Sequence, residues 1–341
     1  MDEDKGVAPV ESAAPPTYQD RSTGLMIFGI LTLLIGCLCG LFVPLMLIGL
    51  MSAPAGSPQT SLSAILPGML VYGVLAVALV WLGIGSITAK RWARALLLIF
   101  SWSWLVTGVI VSIVMIIVLP RTIAHVTSDA SGNNPMPPGA KAVMILTMAI
   151  IFGGIFILMP AVWTFFYSSR HVKATCEARD PVMRWTDACP LPVLGLAVWL
   201  AFSAPMLLIS AVAGHGVTPF FGMFLTGIAG AMLLLLMAVL WVYAAWSLYK
   251  LKPIGWWIVF VALCLLMAST FITFRGHDTL EMYRLMGYSE WQIAEIEETG
   301  LATGNYFVWL CVISMLPFLC YLFFVRRYIF RKIETASPVG A

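Results

Sequence analysis

Charge is what this sequence has least of. Asp, Glu, Lys and Arg make up only 10% of its 341 residues, where a water-soluble domain carries about 25%. Hydrophobic residues reach 61% and mean hydropathy is +0.95, so a soluble fold is excluded. The net charge of +3 forms no basic stripe, which argues against nucleic acid as a partner. Ionisable residues are missing from the middle of every long apolar run. Inside a membrane such residues mark proton relays and ion paths, so coupled transport through charged side chains is disfavoured. The chain also lacks His-Glu-x-x-His, Gly-x-Ser-x-Gly and the P-loop pattern. Zinc peptidase, serine hydrolase and nucleotide-binding chemistry therefore have no support. The four histidines, His125, His171, His215 and His277, fall in or near loops. No catalytic residue, metal or cofactor follows from the sequence, and a non-enzymatic role is favoured.

Apolar runs are what the chain has instead. A bilayer core of about 30 Å needs roughly 20 apolar residues in a helix, and backbone pairing in lipid leaves only helices or closed barrels. The runs are too long and too continuous for barrel strands. Eight spans are predicted, at about 24–51, 63–88, 93–119, 142–168, 191–213, 222–249, 253–275 and 304–329. Ala53-Pro54-Ala55 has the small residues of a cleavage site. The run before it is too long for a signal peptide, and the tail before that is acidic, so it reads as a span.

Lys and Arg set the orientation. One side of the membrane collects fifteen of them, the other only Arg121, Lys141, Arg275 and Arg284. The positive-inside rule then places both termini in the cytoplasm of a multi-pass cell-membrane protein, the inner membrane if the source is bacterial.

Self-similarity runs through the sequence at a spacing near 160 residues. Pro44-Leu-Met-Leu-Ile matches Pro205-Met-Leu-Leu-Ile, Trp81 and Lys90 match Trp241 and Lys250, and Phe100 matches Phe260. Pro160, Phe166 and Arg170 match Pro317, Phe323 and Arg327. Four spans per copy is an even number, so both copies enter the membrane the same way round and are not inverted. The expected fold is all-α: a polytopic transmembrane helical bundle, eight spans as two tandem four-helix repeats in parallel orientation. The divisions are a tail at 1–22, repeats at 23–168 and 191–330, a cytoplasmic linker at 169–190 and a tail at 331–341. Gly36 with Gly40, and Gly222, Thr226 and Gly230, are small-residue ladders that signal helix packing.

Two extramembrane stretches carry the candidate residues. The linker contains His171, Cys176, Asp180 and Cys189. Imidazole and thiolates are zinc donors, but His-x4-Cys-x12-Cys lacks the close Cys pair of a strong zinc signal, and a reducing compartment disfavours a disulfide. The better reading is a basic connector turning at Asp180-Pro181, with Trp185 at the interface. The outer loop 120–141 is rich in Gly, Asn and Pro and reads as unstructured. The outer loop 276–303 reads as two amphipathic helices at about 278–299. Gly287 is a stop for the first and Ser289 with Gln292 a start for the second. Tyr283 and Trp291 are its binding candidates. Hydroxyls in the third and seventh spans, including Ser103, Thr107, Ser269 and Thr273, line either a neutral path or helix contacts. The function expected is that of a scaffold or accessory subunit engaging the bilayer and a membrane-protein partner. The alternative is a transporter or channel for a neutral or lipidic substrate.

Overall fold

The computed structural model describes residues 18–52, 62–129, 138–298 and 305–336. Among them, eight helices are long and apolar enough to cross a bilayer. In chain order the helices are α1 (Ser22–Ser52), α2 (Leu62–Ile87), α3 (Arg91–Asp129) and α4 (Pro138–Gly153). α4 runs through a π turn, Gly154–Leu158, into α5 (Met159–Ser168). Pro160 has no N–H for the turn before it, and the widened turn absorbs the break. A short α6 (Arg170–Arg179) and a 3-10 turn (Trp185–Asp187) form the linker. The second half holds α7 (Leu191–Ala213), α8 (Gly227–Tyr249), α9 (Pro253–Gly276), α10 (Thr279–Leu285), α11 (Glu290–Glu298) and α12 (Asn305–Ala336). Leu34, Phe165, Val212 and Ile228 are each more than half exposed. Lipid tails are as apolar as leucine, so these faces need no protein cover.

Among the described residues the spans form two cores, and a small third cluster of Leu280 and Ile293 joins α10 to α11. Leu25, Leu82, Leu97, Trp163 and Tyr167 bring together α1, α2, α3 and α5, with Val172 of α6 below them. Val193, Leu248, Trp256, Val259, Leu322 and Val325 bring together α7, α8, α9 and α12. The pairing is parallel in the two halves: α1 lies along α2 as α7 lies along α8, and α3 rests on α5 as α9 rests on α12.

The α1–α2 seam is made of glycine. A methyl on Gly29 would meet the Gly83 carbonyl at 2.9 Å, and one on Gly36 would meet the Val80 amide at 2.8 Å. Gly40 faces only Ala76, at 3.6 Å. The working pair on α1 is therefore Gly29 with Gly36, seven residues apart, and not the Gly36–Gly40 ladder expected from the sequence.

Tight turns join α2 to α3 and α8 to α9, and they share one construction. The Lys90 amide bonds the Gly85 carbonyl and the Lys252 amide bonds the Ser247 carbonyl, each five residues back. Ala89 and Leu251 sit before them with φ of 52° and 57°. This is the left-handed helix cap. Superposing the turns sets Lys90 against Lys252, two residues beyond the Lys250 match drawn from sequence. In this register Gly85, which crowds Ala93, corresponds to Ser247, and Ala93 corresponds to Gly255. The small residue has changed helix while the close approach is kept.

Two stretches differ from expectation. α3 continues as helix to Asp129, where a loop was expected from 120, and 130–137 lie outside the described residues. The sixth span begins at Gly227, not 222, because Thr218–Phe220 and Met223–Leu225 form an antiparallel hairpin, β1 and β2. Gly222 is in its turn, Thr226 is the N-cap of α8, and Gly230 packs on the Gly216 carbonyl. The short apolar run at 218–225 serves a strand as well as a helix. Both turn residues have positive φ, 40° at Phe221 and 95° at Gly222. A two-residue hairpin turn of this kind favours Asn-Gly. Phe221→Asn keeps the backbone N–H bonded to Ser269 Oγ at 3.0 Å and is expected to stabilise the protein by about 0.5–1 kcal/mol. The check is the thermal midpoint in one detergent; a fall would mean that the exposed phenyl ring, and not the turn, governs this position.

Candidate functional site: polar layers at both ends of the bundle

Polar structure collects at the two ends of the bundle. α7 starts in the linker and ends near His215, whose Nδ1 lies 3.0 Å from the Met286 carbonyl. The linker and the α10–α11 pair are thus separated by a helix of 23 residues, about 34 Å at 1.5 Å per residue.

The linker layer is an ordered structure. Ser169 caps α6 by accepting from the His171 amide. Val172, Thr175 and Cys176 are buried, which is the i, i+3, i+4 stripe of a helix lying on a core. The segment before α1 is tied down on it: the Gln19 amide donates to His171 Nδ1 at 3.3 Å and the Arg21 amide to Thr175 Oγ1 at 3.0 Å. Asp180 closes α6 and is gripped by Arg184 through Nε at 3.0 Å and Nη2 at 2.7 Å. It also accepts from the Arg91 amide at the start of α3. That guanidinium holds the Asp180 carboxyl below the ordinary carboxylate range.

Between α3, α6 and the 3-10 turn lies a cavity of about 160 Å³. Arg91 reaches Asp187 at 3.2 Å and Glu177 at 3.6 Å, and Lys173 reaches Glu177 at 3.8 Å. Arg94, one turn on from Arg91, also lines the cavity and is 9% exposed. Arg94 Nε and Thr186 Oγ1 are buried and have no hydrogen-bond partner among the described residues.

Of the linker residues singled out from sequence, Cys176 and Cys189 both line this cavity. His171 serves the preceding segment and Asp180 serves Arg184. Cys176 and Cys189 are not joined in a disulfide. Burial pushes the Cys176 thiol up to about 11, which disfavours the thiolate that a nucleophile needs. Among the described residues no three His, Cys, Asp or Glu side chains are placed to hold a metal ion. The sequence reading missed Arg91, Arg94 and Thr186. The signal was the i, i+3 spacing of the two arginines on one helix face.

Tyr283 and Trp291 belong to the opposite layer. Tyr283 packs edge-on to Tyr288, and Trp291 is 41% exposed. α10 starts from an Asp278 cap and stops at Gly287, φ 83°. Gln292 then reaches back to accept from Ser289, through its amide at 3.0 Å and its hydroxyl at 2.8 Å. The hairpin is pinned to α9: Ser269 accepts from Phe221 N–H and donates to the Pro219 carbonyl, and Thr273 accepts from Gly222 N–H. His277 sits between Glu281 Oε2 at 2.9 Å and the Gly222 carbonyl at 3.0 Å. Both partners are acceptors, so both ring nitrogens donate only in the imidazolium.

The Glu281 hydrogen bond first, and then the Gly222 carbonyl, raise the His277 pKa above its ordinary value of 6.5. The stabilisation is therefore fully present below about 6.5 and is lost as pH rises through the higher folded value. Hydrogen exchange of 218–225 and 279–298, corrected for intrinsic rate, is expected to be slower at about pH 6 than at pH 8.5. In His277→Ala that difference disappears. Equal protection at both pH values in the wild type would show that His277 does not hold the layer.

No protein-family model, curated protein or solved structure matches this chain.

Proposed function

We propose that the chain is a non-catalytic membrane scaffold or accessory subunit. It consists of two tandem four-span repeats in parallel orientation, with both termini and the linker in the cytoplasm and α10–α11 outside. Its working surfaces are the two polar layers, and its partner is another membrane protein engaged on the outer side around Tyr283 and Trp291. The repeat is supported by the matched prolines, the matched turns and the like pairing of helices. The orientation is supported by the Lys and Arg bias.

The single observation that carries the reading is how the span hydroxyls are used. Ser269 and Thr273 hold the hairpin, and Ser103 accepts from Trp199 Nε1 across the α3–α7 contact. A path for a neutral substrate would need these groups free, whereas here Ser269 and Thr273 brace the end layer and Ser103 joins two helices. Removing 278–298 is expected to abolish co-purification of a stoichiometric partner from native membranes while the eight spans still fold. Ser103→Ala is expected to leave the partner in place. Undiminished recovery of the partner after the deletion would overturn the docking role and favour transport instead.

A further inference from the structure

Arg94 is the least satisfied charge in the linker layer. A buried guanidinium loses its hydration and must recover that cost from partners. Arg91 and Lys173, on the same cavity, have Glu177 and Asp187 as ion-pair partners. The lining therefore holds three cationic side chains against two carboxylates, both already engaged. One cation is in excess, and Arg94, whose Nε is unpartnered, meets Glu177 and Asp187 only at longer range. Thr186 Oγ1 is unpartnered on the same cavity, on a residue 2% exposed. Arg94 and Thr186 both line the void, and an excess cation with two buried, unpartnered polar atoms beside one void describes a receptor for a monoanionic oxygen ligand.

The other half of the molecule provides an internal control. Counted from the matched turns, Arg94 lies four residues beyond Lys90 and Trp256 lies four beyond Lys252. Trp256 is 1% exposed and donates Nε1 to the Leu322 carbonyl at 2.9 Å. The second half thus fills this position with a large side chain whose polar atom is satisfied. The first half has a void and an unsatisfied arginine instead. At about 160 Å³ there is room for a small anion with ordered water, one water taking about 30 Å³ of liquid volume.

We infer that the cavity between α3, α6 and the 3-10 turn binds a phosphate group through Arg94 and Thr186. The group is carried either as free inorganic phosphate or on the headgroup of an anionic phospholipid. Arg91 and Arg94 stand at the first turn of the apolar helix α3, an end of a span where both a headgroup and an aqueous ion are at hand. Arg94 supplies the charge and its guanidinium, Thr186 supplies a hydroxyl that turns toward the group, and the Arg91–Glu177–Asp187 cluster fixes the walls. This goes beyond the proposed scaffold role and does not depend on any protein partner, so its failure leaves that role standing.

The test uses the full chain in nanodiscs, as wild type, Arg94→Met, Arg94→Lys and Thr186→Val. Inorganic phosphate is titrated calorimetrically in phosphatidylcholine discs at fixed ionic strength. Separately, discs of mixed phosphatidylglycerol and phosphatidylcholine are opened in a native mass spectrometer, and retained lipid is counted. Wild type is expected to take one equivalent of phosphate, or to retain one phosphatidylglycerol in preference to phosphatidylcholine. The first result identifies a free anion and the second a headgroup. Arg94→Met is expected to weaken the bound probe at least about tenfold, the loss of one charge-assisted bond. Its melting temperature without probe is expected to hold or rise, because an unpaired buried charge is gone. Arg94→Lys, which keeps the charge but not Nε, is expected to fall between. If Arg94→Met does not fold, Thr186→Val decides, with a several-fold loss expected. Wild type holding neither probe, or Arg94→Met and Thr186→Val both holding it as tightly as wild type, would overturn the assignment.

Discussion

Gly83→Val is expected to cost about 3 kcal/mol, enough to remove most of the monodisperse protein from a detergent extract. A Cβ at Gly83 would sit 2.8 Å from both the Gly29 carbonyl and the Leu33 amide, and both are backbone atoms of α1. Side chains can turn away from such a contact, but two helix backbones held by one seam cannot. The seam is also the widest helix contact in the first half, so the loss spreads along α1. Gly40→Ala is the control. Its nearest neighbour is the Ala76 methyl at 3.6 Å, and the expected change in thermal midpoint by size-exclusion chromatography after heating is close to zero. If both variants behaved alike, the α1–α2 seam would not be the glycine contact described above.

Asp180→Ala is expected to loosen the linker layer. The Asp180 carboxylate is 4% exposed and receives two bonds from Arg184, which is itself 35% exposed and returns to water when its partner is removed, so the loss is felt in the order of the linker more than as a stranded charge. The change also removes the acceptor at the Arg91 amide and frees the end of α6. The carboxyl is held below its ordinary value of 3.8, so this stabilisation is present above about 3.8 and is lost as pH falls through the lower folded value. Limited proteolysis between 179 and 190 is expected to be fast in Asp180→Ala at neutral pH and slow in wild type. Equal cleavage rates would mean that Asp180 does not organise the linker.

The spans were legible in the sequence because bilayer thickness imposes a length that soluble folds do not. The α10–α11 pair was legible because Gly287 and the Ser289–Gln292 spacing are local stop and start signals. α6 was not, since its stripe of Val172, Thr175 and Cys176 is short and only one member is a strong hydrophobe. The hairpin at 218–225 was hidden by its apolar composition, which merges with the span that follows. Arg94 was the largest loss. From sequence it is one more cation at a membrane boundary, and only the packing of α6 and Thr186 over it turns it into a buried, unpartnered group. Cys176 and Cys189 were named from sequence as binding candidates within a basic connector, and both line the cavity.

Everything assigned to the two faces depends on which side of the membrane each occupies, and single-site labelling reads that directly. Met183→Cys in the linker and Glu290→Cys at the start of α11 replace residues that are 75% exposed and, for the Glu290 side chain, 81% exposed. Native background is low, since Cys176 and Cys189 are 1% and 4% exposed and Cys37, Cys39, Cys264, Cys311 and Cys320 lie within span helices. A membrane-impermeant maleimide applied to intact cells is expected to label Cys at 290 at once and Cys at 183 only after permeabilisation. Labelling of both from outside, or of 183 alone, would contradict the eight-span parallel arrangement with a cytoplasmic linker.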